Sequence, residues 1–175
     1  MFKQWIFLFL LSPLLIIAQP VIKKGLPNDL DKERIIFLKH EKVEVLADKK
    51  AGKQQKYLHL RQTNHNKIIE EANDELVVAA MDYPFGYAIS SLSKYESILQ
   101  AGYKYVLISN SYKNEHVMVQ PNEGELIVFE YFILDVKEEV AYKAFELDEM
   151  KVYDSKLLIR RLNKAIKKAF PNQSK

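Results

Sequence analysis

The chain of 175 residues contains no cysteine. This absence excludes disulfides, thiol nucleophiles and thiolate metal sites, and also the lipid-modified cysteine that tethers a bacterial lipoprotein. Glycine is scarce as well: the five glycines stand singly, so no glycine-rich loop is present to cradle a phosphate. The 26 basic and 23 acidic residues nearly balance, so the composition gives no nucleic-acid footprint.

The first 18 residues have the layout of a secretory signal peptide. One positive charge, Lys3, precedes an apolar run of thirteen residues over 6–18, and the small Ala18 precedes Gln19. A membrane-spanning helix needs about 20 apolar residues, so the run is short for an anchor, although an uncleaved anchor is the alternative interpretation. We expect export, cleavage near Ala18 or Gln19, and a soluble periplasmic or secreted protein.

The rest of the chain divides into three parts. Residues 19–33 form a polar lead-in with Gly25 and Pro27 as breakers, residues 34–170 a single domain, and residues 171–175 a tail. The length after cleavage is sufficient for one domain that buries most of its surface on folding.

An apolar stretch at 126–136 is the centre of the predicted fold. Its β-branched and aromatic content favours a strand, and side chains alternate across a strand. Phe132 and Leu134 would share one face, and Tyr131 and Ile133 the other. Because both faces are apolar, we expect an interior strand covered on both sides. Glu130 is the one charge in its middle.

Further patterns complete the predicted order β-α-β-α-β-β-β-α. Predicted strands occupy 34–39 (with alternation continuing to 46), 87–90, 103–109 and 140–147, and predicted helices occupy 65–81, 93–101 and 154–170. Ser93 and Glu96 make a capping box, and Gly102 is a helix stop. Residues 47–64, rich in Lys and Gln, are interpreted as a mobile loop. The prediction is an α/β fold with one mixed sheet of about five strands and three helices.

Local sequence and element order together resemble a known group of envelope domains. Residues 101–107 (Ala-Gly-Tyr-Lys-Tyr-Val-Leu), 132–136 (Phe-Ile-Leu-Asp-Val) and 157–170 resemble pieces of the periplasmic domain of the curli secretion channel and of the amino-terminal domain of TolB. The resemblance spans roughly 34–170 and implies an envelope setting with assembly or binding roles more common than catalysis. The family's hairpin turn usually carries a glycine, which residues 137–139 lack, and its membrane-inserting hairpins have no counterpart here.

Aromatic residues around the second predicted helix are candidates for a ligand patch, together with Glu130. The candidates are Tyr87, Tyr95, Tyr103, Tyr105, Tyr112 and Glu130. The alternative is that the tyrosines divide between core and sheet edge. A carboxylate in mid-strand must be paired, protonated or at the rim, so an ion pair of Glu130 with Lys104 or Lys143 is the alternative to a catalytic role.

The histidines give little support for a metal site. His59 and His65 are six residues apart, which places them on opposite sides of a helix rather than at the i, i+4 spacing of a zinc pair. A metal-dependent hydrolase using His59, His65 or His116 with a nearby acid remains the alternative function. The adjacent carboxylate pairs, such as Glu70 and Glu71, lie in polar segments typical of solvated surface, and no pattern indicates a cofactor.

The last predicted helix has a strongly basic face, formed by Arg160, Arg161, Lys164, Lys167 and Lys168. Such a face is either an ordinary solvated surface or a contact with an anionic surface such as lipid. We therefore expect a non-enzymatic envelope protein that binds a protein partner, through residues 83–112 or the edge of the predicted hairpin, or contacts membranes at most peripherally. Binding of nucleic acid is not expected.

Overall fold

The structure is a computed structural model, and it describes residues 21–45, 52–109 and 127–171. The strands are β1 Val21–Lys24, β2 Ile35–Leu38, β3 Tyr87–Ser90, β4 Tyr105–Ile108, β5 Val128–Asp135 and β6 Val140–Asp148; the α-helices are α1 Lys53–Ala79, α2 Tyr95–Leu99 and α3 Ser155–Ala169; and 3₁₀ turns cover Ala80–Asp82 and Glu149–Lys151. The predicted signal peptide, Tyr112 and His116 lie outside the described residues. None of the described helices combines the length and apolar content that a membrane crossing requires.

The six strands form one mixed sheet in the order β1-β6-β5-β4-β2-β3. Strands β4, β2 and β3 run parallel to one another, whereas β5 is antiparallel to both β4 and β6. The predicted α/β class with three helices and a mixed sheet is confirmed, with one strand more than expected.

The additional strand is β1, within what the sequence predicted to be a polar lead-in. It pairs in parallel with β6, with Val21 opposite Val140. All four of its residues are exposed, so it has no alternating pattern, and only the neighbouring strand makes it a strand. Because β1 pairs with Val140–Lys143, the first half of β6 is not an edge of the sheet, whereas residues 144–148 of the expected hairpin edge lie beyond β1.

Strand β5 lies in the interior of the sheet, as predicted, but its two faces differ. Phe129, Tyr131 and Ile133 are almost completely buried. On the opposite face Val128 is 46% exposed, and Phe132 is half-buried. The expectation that both faces are covered is therefore wrong. The reason is that α1 and α3 pack against each other and over the same face of the sheet.

The crossover connections explain why α2 cannot cover the other face of β5. The chain passes from β2 to β3 through α1, and then back past β2 to β4 through α2. Parallel crossovers are right-handed, so two that move in opposite directions along the sheet place their helices on opposite faces. Helix α2 packs against β2 and β3, too far along the sheet to reach β5.

Helix α1 begins earlier than predicted. The expected mobile loop over 47–64 is wrong for residues 53–64, which form the first turns of α1, while residues 46–51 are not described. Lys, Gln, Leu and Arg are good helix formers, so a low apolar content did not exclude a helix. Arg61 also ties this end of the helix to the rest of the fold through a salt bridge with Glu149.

The segment after β2 runs along α1 instead of continuing as a strand. Asn73 accepts a hydrogen bond from the His40 amide (2.9 Å) and donates one to the His40 carbonyl (3.0 Å). Asn66, two turns earlier in α1, makes the same pair of bonds with Val43. It accepts from the Val43 amide (2.9 Å) and donates to the Val43 carbonyl (2.8 Å). Each asparagine therefore satisfies both backbone groups of one residue, as a neighbouring strand would.

Two turns use chemistry that differs from the prediction. The Ser93 amide donates to the Glu41 carboxylate (3.2 Å) rather than to a capping-box partner. In the β5–β6 hairpin, Asp135 accepts hydrogen bonds from the amides of Lys137 and Glu138, both at 3.1 Å. Glu139 takes the left-handed conformation (φ 52°) that a glycine would adopt more easily. The aspartate thus organises a turn that lacks Asn-Gly.

The lead-in is held to the sheet by a polar cluster. Lys104 forms a salt bridge with Asp29 (2.7 Å) and lies 3.5 Å from Asp135, and the buried Tyr105 hydroxyl donates to Asp29. Partial burial acts to raise the pKa of Asp29, but the hydrogen bonds from Lys104 and Tyr105 outweigh it and hold that pKa below its ordinary value.

The asparagine contacts predict a specific loss of stability. Substitution Asn73→Ala should lower the free energy of unfolding by about 1–3 kcal/mol, because two backbone groups of His40 lose their partners. Urea denaturation measures the change. Asn64→Ala, at an exposed position of the same helix, is the matched control and should change stability by less than about 0.5 kcal/mol. Equal effects of the two substitutions would contradict the structural role of Asn73.

Candidate functional site

Helix α3 is amphipathic, with one face buried and one face cationic. Asp154 caps its first turn by accepting from the Leu157 amide (2.8 Å). The buried face consists of Ser155, Leu158, Ile159, Leu162 and Ile166. The helix holds six basic residues and no acidic one. We call the outward group Arg160, Arg161, Lys164, Lys167 and Lys168 the cationic face.

The charges of the cationic face are not paired in salt bridges within the described residues, although the Asp82 carboxylate lies on the wall of a groove opposite three of them. Among the described parts of the chain, none of these five side chains forms a salt bridge, whereas Lys42, Lys104, Lys143 and Lys156 each do. The formal charge of the whole chain is +3, which is less than the six positive charges of α3 alone. The remainder of the chain is therefore net negative, and the positive charge is concentrated on one helix.

Two grooves border the cationic face. We call the first one the α1–α3 groove, and its volume is about 850 Å³. Residues 79 and 81–84 form one of its walls. Helix α3 forms the other wall, which includes Arg160, Lys164 and Lys167. The second, of about 490 Å³, lies between residues around β6 and the Arg161, Lys164 and Lys168 side of α3. The spacing i, i+4, i+7 aligns the first three cations, and i, i+3, i+7 the second three, since neighbours on a helix surface are three or four residues apart.

The α1–α3 groove combines these cations with apolar surface. Ile159 and Ile166 lie on the α3 side, and Met81 lies on the opposite wall. Met81 is 69% exposed, and Val78, one turn earlier, is 59% exposed. An exposed apolar side chain beside a cationic row is the composition of a site for amphiphilic anions rather than for small hydrophilic ones.

Two residues that line this groove each bury a polar atom that lacks a hydrogen-bond partner among the described residues. These atoms are the hydroxyl of Tyr83 and the side-chain oxygen of Asn163. The Asn163 amide nitrogen donates to the Asp82 carbonyl (2.8 Å), which fixes its oxygen as the free acceptor. Burial raises the pKa of Tyr83, so this phenol stays protonated as a donor. A buried group left in this way costs about 1–3 kcal/mol.

The described histidine candidates are not grouped with acids as metal ligands, and His116 lies outside the described residues. His65 is buried, and both ring nitrogens are engaged: Nε2 with the Glu41 carbonyl and Nδ1 with the Tyr153 hydroxyl, each at 2.8 Å. A carbonyl can only accept, so Nε2 carries the proton and Nδ1 accepts from Tyr153. Burial lowers the pKa of His65, against the opposing effect of the Glu41 bond. Within 21–45, 52–109 and 127–171, no three His, Asp or Glu side chains are grouped to hold a metal.

The tyrosine candidates are only partly brought together. The Tyr103 hydroxyl donates to the Tyr87 carbonyl (3.3 Å), but Tyr105 is buried and bonded to Asp29. The Tyr95 side chain and Tyr112 are not among the described groups. Glu130 lies on β5, and β4 and β2 separate it from Tyr87 on β3. The candidates that the structure describes, Tyr87, Tyr103, Tyr105 and Glu130, therefore do not converge on one pocket.

Glu130 is half-exposed and forms an ion pair with Lys143. This confirms one of the two pairings expected from the sequence, whereas Lys104 pairs elsewhere. Glu130 lies directly opposite Glu146 across the β5–β6 ladder, and Lys143 pairs with both carboxylates. The hydrogen bonds that Lys143 donates, to Glu130 in the first place and then to Glu146, raise the pKa of Lys143. Glu130 thus belongs to an exposed charge cluster at the sheet surface.

Sequence reasoning identified the cationic face but missed its apolar neighbours. Met81 and Asn163 were not selected, and Tyr83 was considered only as part of the aromatic region 83–112, because their place beside α3 depends on α1 and α3 lying side by side. The sequence held one signal for this apolar wall. Val77, Val78 and Met81 are apolar, but they lie outside the row of buried residues at the end of α1.

No protein-family model, no curated protein and no solved structure matches the chain. The resemblance to the curli-channel and TolB domains accordingly stays a prediction, and function is argued from geometry alone.

The environment of His65 predicts a pH dependence of stability. Its pKa in the folded chain lies below the ordinary 6.5, so the unfolded chain binds the proton more readily. Stability should be complete above about pH 6.5 and fall as the pH drops below that value, by at most about 1.4 kcal/mol per pH unit.

Urea denaturation between about pH 8 and pH 5 tests this. The His65→Gln variant should be less stable at high pH but should lose less on acidification, whereas His59→Gln on the same helix keeps the wild-type slope. An unchanged slope in His65→Gln would contradict the assignment.

The buried Tyr83 hydroxyl, which lacks a partner among the described residues, gives a further prediction about stability. The substitution Tyr83→Phe should leave the free energy of unfolding unchanged or raise it by about 1 kcal/mol, because it removes a buried hydroxyl without a partner. The matched control is Tyr153→Phe, which removes the donor to His65 and should destabilise by about 1–3 kcal/mol. Thermal and urea denaturation compare the two variants, and similar losses in both would show that the Tyr83 hydroxyl is bonded.

Proposed function

We propose that this chain is an exported, non-enzymatic binding module that docks on an anionic lipid surface through the cationic face of α3. The observation that carries the proposal is the concentration of unpaired positive charge on one helix of a chain whose remainder is net negative. A uniformly basic protein would bind anions in any orientation, whereas this charge distribution orients the molecule with α3 toward the anionic surface.

The apolar side chains beside the cationic face support a lipid surface in particular. Met81 is exposed on the wall of the α1–α3 groove, and Val78, three residues before it in the chain, is exposed as well. At an interface, cations attract the headgroups while apolar side chains enter the acyl boundary. A purely hydrophilic anionic partner would leave these side chains in water.

The expected affinity is modest. A lysine or arginine near an anionic membrane contributes about 1 kcal/mol, so the five side chains together contribute on the order of 5 kcal/mol. That corresponds to submillimolar binding. The attraction is screened over about 10 Å at 0.1 M salt and about 3 Å at 1 M, so binding should be reversible and strongly salt-dependent.

Sedimentation with vesicles tests the proposal. The protein should bind vesicles of mixed phosphatidylglycerol and phosphatidylcholine at low salt, release at high salt, and ignore pure phosphatidylcholine. Charge reversal of Arg160, Lys164 and Lys167 to Glu should weaken binding by about 100-fold or more, since three favourable terms of about 1 kcal/mol are lost.

A matched variant separates position from net charge. Reversal of Lys53, Lys56 and Lys67, which are exposed on α1, changes the net charge by the same amount at a different surface. This variant should retain most of the binding. Equal losses in both triple variants would show that net charge alone is responsible, and absence of binding at low salt would reject the proposal.

A further inference from the structure

We infer that the α1–α3 groove is a binding site for a single anionic amphiphile, with its head against Arg160 and Lys167 and its apolar chain along Met81 and Ile159. The inference deepens the proposed function and rests on it in one respect, that α3 binds anionic lipid. It goes further by assigning a pocket for one molecule rather than a flat electrostatic contact.

The dimensions of the groove fit a small ligand. Its volume of about 850 Å³ lies within the roughly 300–1,000 Å³ that small-molecule sites occupy. Its two walls are pinned to each other, because Asn163 on α3 donates to the Asp82 carbonyl (2.8 Å). At the amino-terminal end of α3, Lys156 forms a salt bridge with Glu75 of α1 at 3.2 Å. The groove is therefore a feature of the packed fold.

The chemistry of the walls favours an amphiphile over an acidic peptide. One wall is helix α3 and the other is the end of α1 with the turn that follows it. Neither wall is a strand, so an extended peptide finds no strand edge for main-chain pairing. The groove offers cations for a head group and apolar surface for a chain. Its one carboxylate, Asp82, is outnumbered by the four cations Lys156, Arg160, Lys164 and Lys167. Tyr83 also lines the groove, and its hydroxyl is buried without a partner among the described residues.

Titration calorimetry with dodecyl phosphate below its micelle concentration tests the site. The full chain should bind this probe, whereas inorganic phosphate and the uncharged dodecyl maltoside should bind at least tenfold more weakly. Arg160→Glu with Lys167→Glu should reduce the affinity at least tenfold. Arg161→Glu with Lys168→Glu, the equal charge change on the second groove, should reduce it less than threefold.

A matched pair of methionine substitutions tests the apolar wall of the groove. Met81→Ser should weaken dodecyl phosphate binding by about three- to tenfold, and Met150→Ser, at a side chain that is 85% exposed away from the groove, should leave it unchanged. Both positions are exposed, so both variants should fold. With methyl-labelled methionine, the Met81 signal should shift on addition of the probe and the Met150 signal should not; the two variants assign these signals among the four methionines.

The outcomes separate this inference from the proposed function. Vesicle binding without dodecyl phosphate binding would overturn the inference and leave the proposed function standing. Equal losses in the two charge pairs, with no effect of Met81→Ser, would also overturn it, because attraction would then be diffuse. Binding of a glutamate-rich peptide in place of the probe would overturn it in favour of a protein partner. Dodecyl phosphate binding with the expected variant pattern but no vesicle binding supports the groove and rejects the surface role.

Discussion

Burial of one sheet face beneath two helices that also pack against each other is the constraint on which the rest of the structure depends. Helix α3 must turn Leu158, Leu162 and Ile166 toward the sheet, and this rotation directs its lysines and arginines outward. The same packing brings the end of α1 beside α3 and so creates the α1–α3 groove. It also leaves the opposite face of β5 without either helix, which explains why Glu130 and Phe132 are partly exposed.

Polar contacts position the segments that the apolar core does not reach. Asn66 and Asn73 hold the segment after β2 along α1, and His65 and Tyr153 join α1 to the start of α3. Of these contacts, the one between His65 and Tyr153 links the two helices that form the groove, so a loss of the neutral form of His65 at low pH would loosen that junction. The proposed binding surface is therefore coupled to the stability of the α1–α3 packing rather than standing apart from it.

Much of the fold follows from patterns within single segments. The buried strands at 35–38 and 105–108, the central strand and the amphipathic α3 were all predicted, because apolar periodicity and capping residues report local structure directly. Residues 53–64 were assigned to a loop because they carry few apolar groups, although their helix propensity is high. Strand β1 was missed because VIKK has no alternation, and only pairing with β6 defines it.

The candidate site likewise has one part that the sequence predicts and one part that only the tertiary structure shows. The sequence alone determined the cationic face, because residues at i, i+3, i+4 and i+7 share one side of a helix whatever the helix packs against. Only the tertiary structure decided that Met81 and Tyr83 lie beside that face, since the neighbours belong to a helix that ends more than seventy residues earlier in the chain. Spacing along one element is a local property of the backbone, whereas a groove between two elements exists only after both have packed on the sheet.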